Sequence, residues 1–131
     1  MKALDTNLLA RYLRDDDPEQ SRKAGRLIQR AVKQGEGLYL NHVVLCELAW
    51  ILASVYGHHK EEIIGTVEAI LFSEHFVLED KASVESALED YKKSNADFAD
   101  CLIGQRNRAL GCEATLSFDR RLKHLEAFAV L

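Results

Sequence analysis

The chain has 131 residues, 47% apolar and 29% charged, with one proline and seven glycines that do not cluster. That balance suits one globular domain over residues 1–131 and excludes a linker or a low-complexity tract. A formal net charge of −4, from 17 bases and 21 acids, argues against a nucleic-acid partner unless several acids are gathered into one pocket; setting four aside leaves 17 against 17.

The start, "MKALDTNLLARYL", has an acid at position 5 and no long apolar run, so it is not read as a signal peptide. A strand is expected over 2–4 and a helix over 7–13. The next helix, 18–34, has a clear start: Asp17 as N-cap, Pro18 at the first helical position and Gln20 completing a capping box. After a strand over 38–40, a helix is expected over 43–57. It contains "VVLCELAWILA", in which ten apolar side chains surround Glu47. The run is too short to cross a membrane. It reads as a core helix, and a carboxylate buried there must pair, shift its pKa or bind a metal. A helix over 59–73 and a strand over 76–79 follow. Helix 82–93 puts Val84, Ala87, Leu88 and Tyr91 on one face and Glu85, Lys92 and Lys93 off it. The pattern closes with a helix over 97–110 and strands over 114–117 and 128–131. Strands separated by helices predict an α/β fold with a mostly parallel sheet of about five short strands.

Cys46, Cys101 and Cys112 are odd in number and lack CxxC spacing, which fits reduced thiols in the cytoplasm rather than a zinc site. His42, His58 and His59 flank the third helix and are expected at the surface.

In open parallel sheets, ligands bind outside the carboxyl ends of the strands. Asp5 lies just after the first strand and Asp119 just after the fourth, while Glu47 and Asp100 sit in helices otherwise dominated by apolar residues. Four carboxylates in individually disfavoured places suggest one shared site, where a cation offsets their repulsion. Oxygen-only ligands suit Mg²⁺ or Mn²⁺. Each acid also has a structural alternative. Asp5 and Asp119 suit helix caps, Asp97 an N-cap, and Asp100 a first-turn acid; Glu47 suits a buried salt bridge to Arg11 or Arg106.

The strings "LDTNLL", "VVLCELAWIL", "ADFADCLI" and "TLSFDRRL" resemble, in order and spacing, the four acidic stations of PIN domains. The likeness is closest to the VapC-type ribonuclease toxins of prokaryotic toxin–antitoxin pairs. It implies a three-layer α/β/α sandwich and Mg²⁺- or Mn²⁺-dependent cleavage of RNA. Carried over, Asp5, Glu47 and Asp100 are the core metal-binding carboxylates, Asp119 is the fourth, and Asp97 matches an additional acid of some members. Asn7 and Ser117 fall at the small polar positions near the first and fourth acids. The resemblance further implies a homodimer, a VapB-like antitoxin whose C-terminal segment covers the acidic cleft, and a transfer or ribosomal RNA substrate.

No Ser–His or Cys–His arrangement offers a nucleophile, so the attacker implied is a water activated by the metal. Two basic groups could meet RNA. Arg22, Arg26, Arg30 and Lys33 form a stripe on the second helix and read as a solvated face; Arg120, Arg121 and Lys123, beside Asp119, are the better phosphate contacts. Trp50, Val55, Tyr56, Ile63, Val67 and Ile70, on helices 43–57 and 59–73, are more apolar surface than one core face absorbs, which suits dimerisation or antitoxin docking, with core packing the competitor. The rival functions are a PIN-like RNA-processing or DNA nuclease outside a toxin–antitoxin system and an inactive PIN-like binding module. A phosphoacceptor receiver would want an acid after the second strand, where "LYLNHV" has none, and a haloacid-dehalogenase-type phosphatase would want a DxD pair, where position 7 is asparagine.

Overall fold

Local capping chemistry sets most helix boundaries in the computed structural model, which describes residues 1–14 and 16–131. The elements in chain order are β1 (Lys2–Ala3), α1 (Thr6–Leu13), α2 (Pro18–Lys33), β2 (Leu38–Leu40), α3 (His42–Ser54), α4 (Lys60–Phe72), β3 (Phe76–Leu78), α5 (Lys81–Lys92), α6 (Phe98–Ala109), β4 (Thr115–Ser117) and β5 (Phe128–Val130), with a 3-10 turn at Arg120–Leu122. Asp17 caps α2 by accepting the Gln20 N–H at 3.1 Å. The expected capping box does not close, because Gln20 Oε1 accepts from Arg11 Nε at 2.8 Å and ties α1 to α2 instead. Helix α3 ends at Ser54 rather than 57, and Gly57, at φ 64°, supplies the left-handed turn into α4.

The α/β architecture is as expected, and every strand pairing is parallel. The five strands are hydrogen-bonded as two sets, β1-β2-β3 and β4-β5, with Lys2 opposite Leu38, Tyr39 opposite Val77 and Thr115 opposite Phe128. Strands of two or three residues carry few ladder bonds, so the core holds the layers together. Leu9, Leu38, Leu40, Leu45, Leu48, Ile70, Val84 and Leu102 are all buried in that one core.

Helix α3 corrects two expectations. It buries Val44, Leu45, Leu48 and Leu52 and exposes Val43, Glu47 and Trp50, so Glu47 is an exposed carboxylate and not a buried one. A helix apolar around most of its circumference carries no phase in its sequence, and the acid marks its outer side. On the α3–α4 pair, Ile63, Val67 and Ile70 go into the core, Tyr56 is half-buried, and Trp50 and Val55 face outward. His59 is exposed as expected, but His42 and His58 are not surface residues. Their side chains are only 12% and 10% accessible, tucked beside Glu79 and Glu62.

Candidate active site

Four chain segments deliver the acids. Asp5 follows β1 and caps α1, its Oδ1 accepting the Leu8 N–H at 2.9 Å. The cap fixes the carboxylate at the carboxyl end of the strand. Next to it Thr6 is buried, and its hydroxyl donates to Glu47 Oε1 at 3.2 Å, joining the α1 and α3 stations. Neither proposed cation partner of Glu47 reaches it: Arg11 pairs with Asp16 at 2.9 Å and Arg106 with Asp80 at 3.4 Å. Thr6 was not singled out by the sequence. The available signal was a hydroxyl between two candidate residues at a helix start, where burial demands a partner.

Asp100, in the first turn of α6, is two-thirds buried. Burial, then the charges of Asp97 and Asp119, push its carboxyl above the usual range, against the opposing pull of Arg121. Asp97 occupies the N-cap position of α6 yet makes no capping hydrogen bond; its Oδ1 lies 3.6 Å from Arg121 Nη1. Asp119 caps the 3-10 turn, accepting the Arg121 N–H at 3.0 Å, and its own N–H donates to Ser117 Oγ at 3.0 Å. Ser117 thus orients the Asp119 backbone.

The Arg121 side chain folds back over these acids. It donates to Asp119 through Nη2 at 2.7 Å and Nε at 3.1 Å and stands 3.7 Å from Asp100. This fork holds Asp119 below the ordinary carboxylate range and raises the arginine itself. Arg120 and Lys123 are exposed and have no carboxylate partner among the described residues.

The structure therefore forms two groups, Asp97, Asp100 and Asp119 around Arg121, and Asp5 and Glu47 through Thr6. They adjoin, because α3, which carries Glu47, packs against α6, which carries Asp100. Beside Asp5 opens a groove of about 350 Å³, lined also by Asn7, Arg11, Lys23 and Leu27. A family profile described as PIN domain matches residues 2–127. The chain belongs to the PIN domain family. It is also 32% identical over 125 residues to a VapC ribonuclease of Aquifex aeolicus (strain VF5), an alignment covering 95% of this chain and 92% of that one.

The donor chemistry of this PIN domain fits a hard divalent cation, since the stations carry carboxylates alone and like charges already draw a cationic side chain among them. Among the described residues no three His, Cys, Asp or Glu side chains stand close enough to form a finished cage. Closing on an ion requires the carboxylates to converge. No helix among those described is long and apolar enough to cross a membrane.

Proposed function

We propose that this PIN domain is a Mg²⁺- or Mn²⁺-dependent endoribonuclease, the toxin of a VapBC-type pair working in the cytoplasm as a single domain over 1–131. The observation that carries the reading is the gathering of Asp97, Asp100 and Asp119, carboxylates from α6 and the end of β4, around one cationic group. The VapC ribonuclease similarity over 95% of the chain supports the substrate class. Asp5, Glu47, Asp100 and Asp119 would hold the ion, with Asp97 at its margin. When bound, the cation supplies Lewis-acid activation of water and neutralises charge on the scissile phosphodiester.

The remaining work falls to this chain's own groups. A carboxylate of the cluster would orient the attacking water or take its proton. Thr6 holds Glu47 and Ser117 holds the Asp119 backbone, so two stations are oriented before substrate arrives. Arg120 and Lys123, exposed beside Asp119, would contact phosphates flanking the cut. The groove beside Asp5 would receive the C-terminal segment of a VapB-like antitoxin.

The test is a Mn²⁺ titration of the metal-free protein followed by thermal stability, wild type against Asp100→Asn. A ligand bound only by the folded state raises its stability by mass action. The expected result is a rise in Tm with Mn²⁺ that Asp100→Asn abolishes, and RNA cleavage that needs the same ion and the same carboxylate. A wild type indifferent to millimolar Mn²⁺ would leave the PIN-like binding module as the better reading.

A further inference from the structure

The exposed ridge of α2 is a second place where charge is arranged for a purpose. The helix carries five bases, Arg22, Lys23, Arg26, Arg30 and Lys33, and a single acid, Glu19, leaving 12 bases against 20 acids in the rest of the chain. An acidic protein thus concentrates positive charge on one helix. At 100° per residue, Arg22, Arg26, Arg30 and Lys33 fall within an arc of about 80°. That arc lies opposite the buried Ala24, Ile28 and Ala31, and all four bases are exposed.

A merely solvated face mixes signs, as α5 does, where Lys92 pairs with Glu68 and Glu89 and Lys93 with Asp90. On α2 only Lys23 has an acidic partner, Glu19 at 3.4 Å; the four ridge bases have none among the described residues. Arg22, Arg26 and Arg30 are spaced i, i+4, i+8, so each repels the next and the arrangement weakens the helix. A polyanion laid along the ridge turns that repulsion into attraction. Successive arginines step about 6 Å along the axis, comparable to the step between neighbouring phosphates of a nucleic-acid strand.

We infer that this ridge is the rail for the substrate RNA backbone, which takes the ribonuclease reading as given and adds where the strand lies. Continuity supports it. Lys23, beside the ridge, lines the same groove as Asp5, so a strand on α2 leads to the acidic station at the end of β1. Phosphates on one side of the cut meet the rail, those on the other side meet Arg120 and Lys123, and the scissile one meets the carboxylates. An acidic protein partner on the same ridge is the rival occupant.

The experiment measures binding of a mixed-sequence single-stranded RNA to metal-stripped protein across a salt series. Wild type is compared with the triple variant Arg22→Gln, Arg26→Gln, Arg30→Gln and with Lys81→Gln, Lys92→Gln, Lys93→Gln, which changes net charge equally on another helix. Each lost phosphate contact lowers the slope of log affinity against log salt by about 0.7, so the ridge variant should lose about 2 from it and bind about ten-fold or more weakly at low salt. The α5 variant should stay close to wild type. With the repulsion removed, the ridge variant should unfold at a temperature no lower than wild type. Equal slopes in the two variants overturn the rail and leave a general field effect or a protein partner. So does a wild type that fails to bind RNA at low salt. The Mn²⁺ response of the same samples separates the two failures: if it persists, the metal-site reading stands while the rail falls.

Discussion

Arg121 holds the one cationic group paired with Asp97, Asp100 and Asp119 among the described residues. It was expected beside Asp119 as an RNA contact, and it points instead into the acids. Sequence position placed the residue correctly but not its rotamer, which the fork onto Asp119 decides, with the charges of Asp97 and Asp100 behind it. A guanidinium among carboxylates opposes a divalent ion at the same oxygens. Arg121→Gln should therefore lower the Tm of the metal-free protein, where three acids lose their counter-charge, and tighten Mn²⁺ binding several-fold by calorimetry. Unchanged Mn²⁺ affinity would mean that the guanidinium swings clear at no cost and serves RNA alone. The same scale explains what the sequence revealed of the site. Asp5 and Asp119 were legible because strand ends are legible, and Asp100 because an acid stood in an apolar run. Thr6 was not, since a buried hydroxyl is recognised only once its partner on α3 is known.

Helix α6 and the β4–β5 pair form the unit that carries Asp97, Asp100 and Asp119. At Gly104 the helix comes close to β5: an added Cβ would sit 2.5 Å from the Phe128 ring and 3.1 Å from the Ala127 Cβ. One turn separates Gly104 from Asp100, so the glycine sets how closely the turn that carries Asp100 approaches β5. Two effects oppose each other in Gly104→Ala. Alanine favours the helix by about 1 kcal/mol. Overpacking costs about 1–3 kcal/mol and moves the backbone. Because the clash meets both a ring and a β-carbon next to β5, the steric term should win. Urea unfolding should show a net loss, and Mn²⁺ affinity should fall as Asp100 shifts. A variant as stable as wild type, with unaltered metal binding, would show that the Phe128 ring yields freely. Legibility follows the same logic among elements. The start of α2 was written in Asp17 and Pro18, whereas the outward face of α3 was hidden because a helix apolar on most sides has no phase until its neighbours are placed. The division of the strands into two sets was equally hidden, since pairing between short strands is decided by packing and not by their own residues.

Across the whole molecule, charge and apolar surface are segregated in a way that composition conceals. Helix α2 carries five of the 17 bases against one acid, Asp5 and Asp119 stand just past the carboxyl ends of β1 and β4, and exposed apolar side chains lie on α3 and α6. Val43 and Trp50 are each 66% accessible and Ile103 is 50% accessible. Trp50 and Cys46 share a cavity wall with Ala99, and Ile103 follows Ala99 one turn along the same helix face. Aromatic and aliphatic side chains of this size, held on two packed helices, are the usual anchors of an interface between subunits. A homodimer that packs against Trp50 and Ile103 would remove both from water and leave Glu47, on the same side of α3, at the edge of the interface. Trp50→Lys should then convert a dimeric mass to a monomeric one in sedimentation equilibrium while leaving the unfolding transition cooperative, because the substitution lies outside the core. Its Mn²⁺ response should survive, since none of the four carboxylates proposed to hold the ion lies at position 50. A wild type that sediments as a monomer at micromolar concentration would overturn the dimer and leave this face without a second copy to cover it.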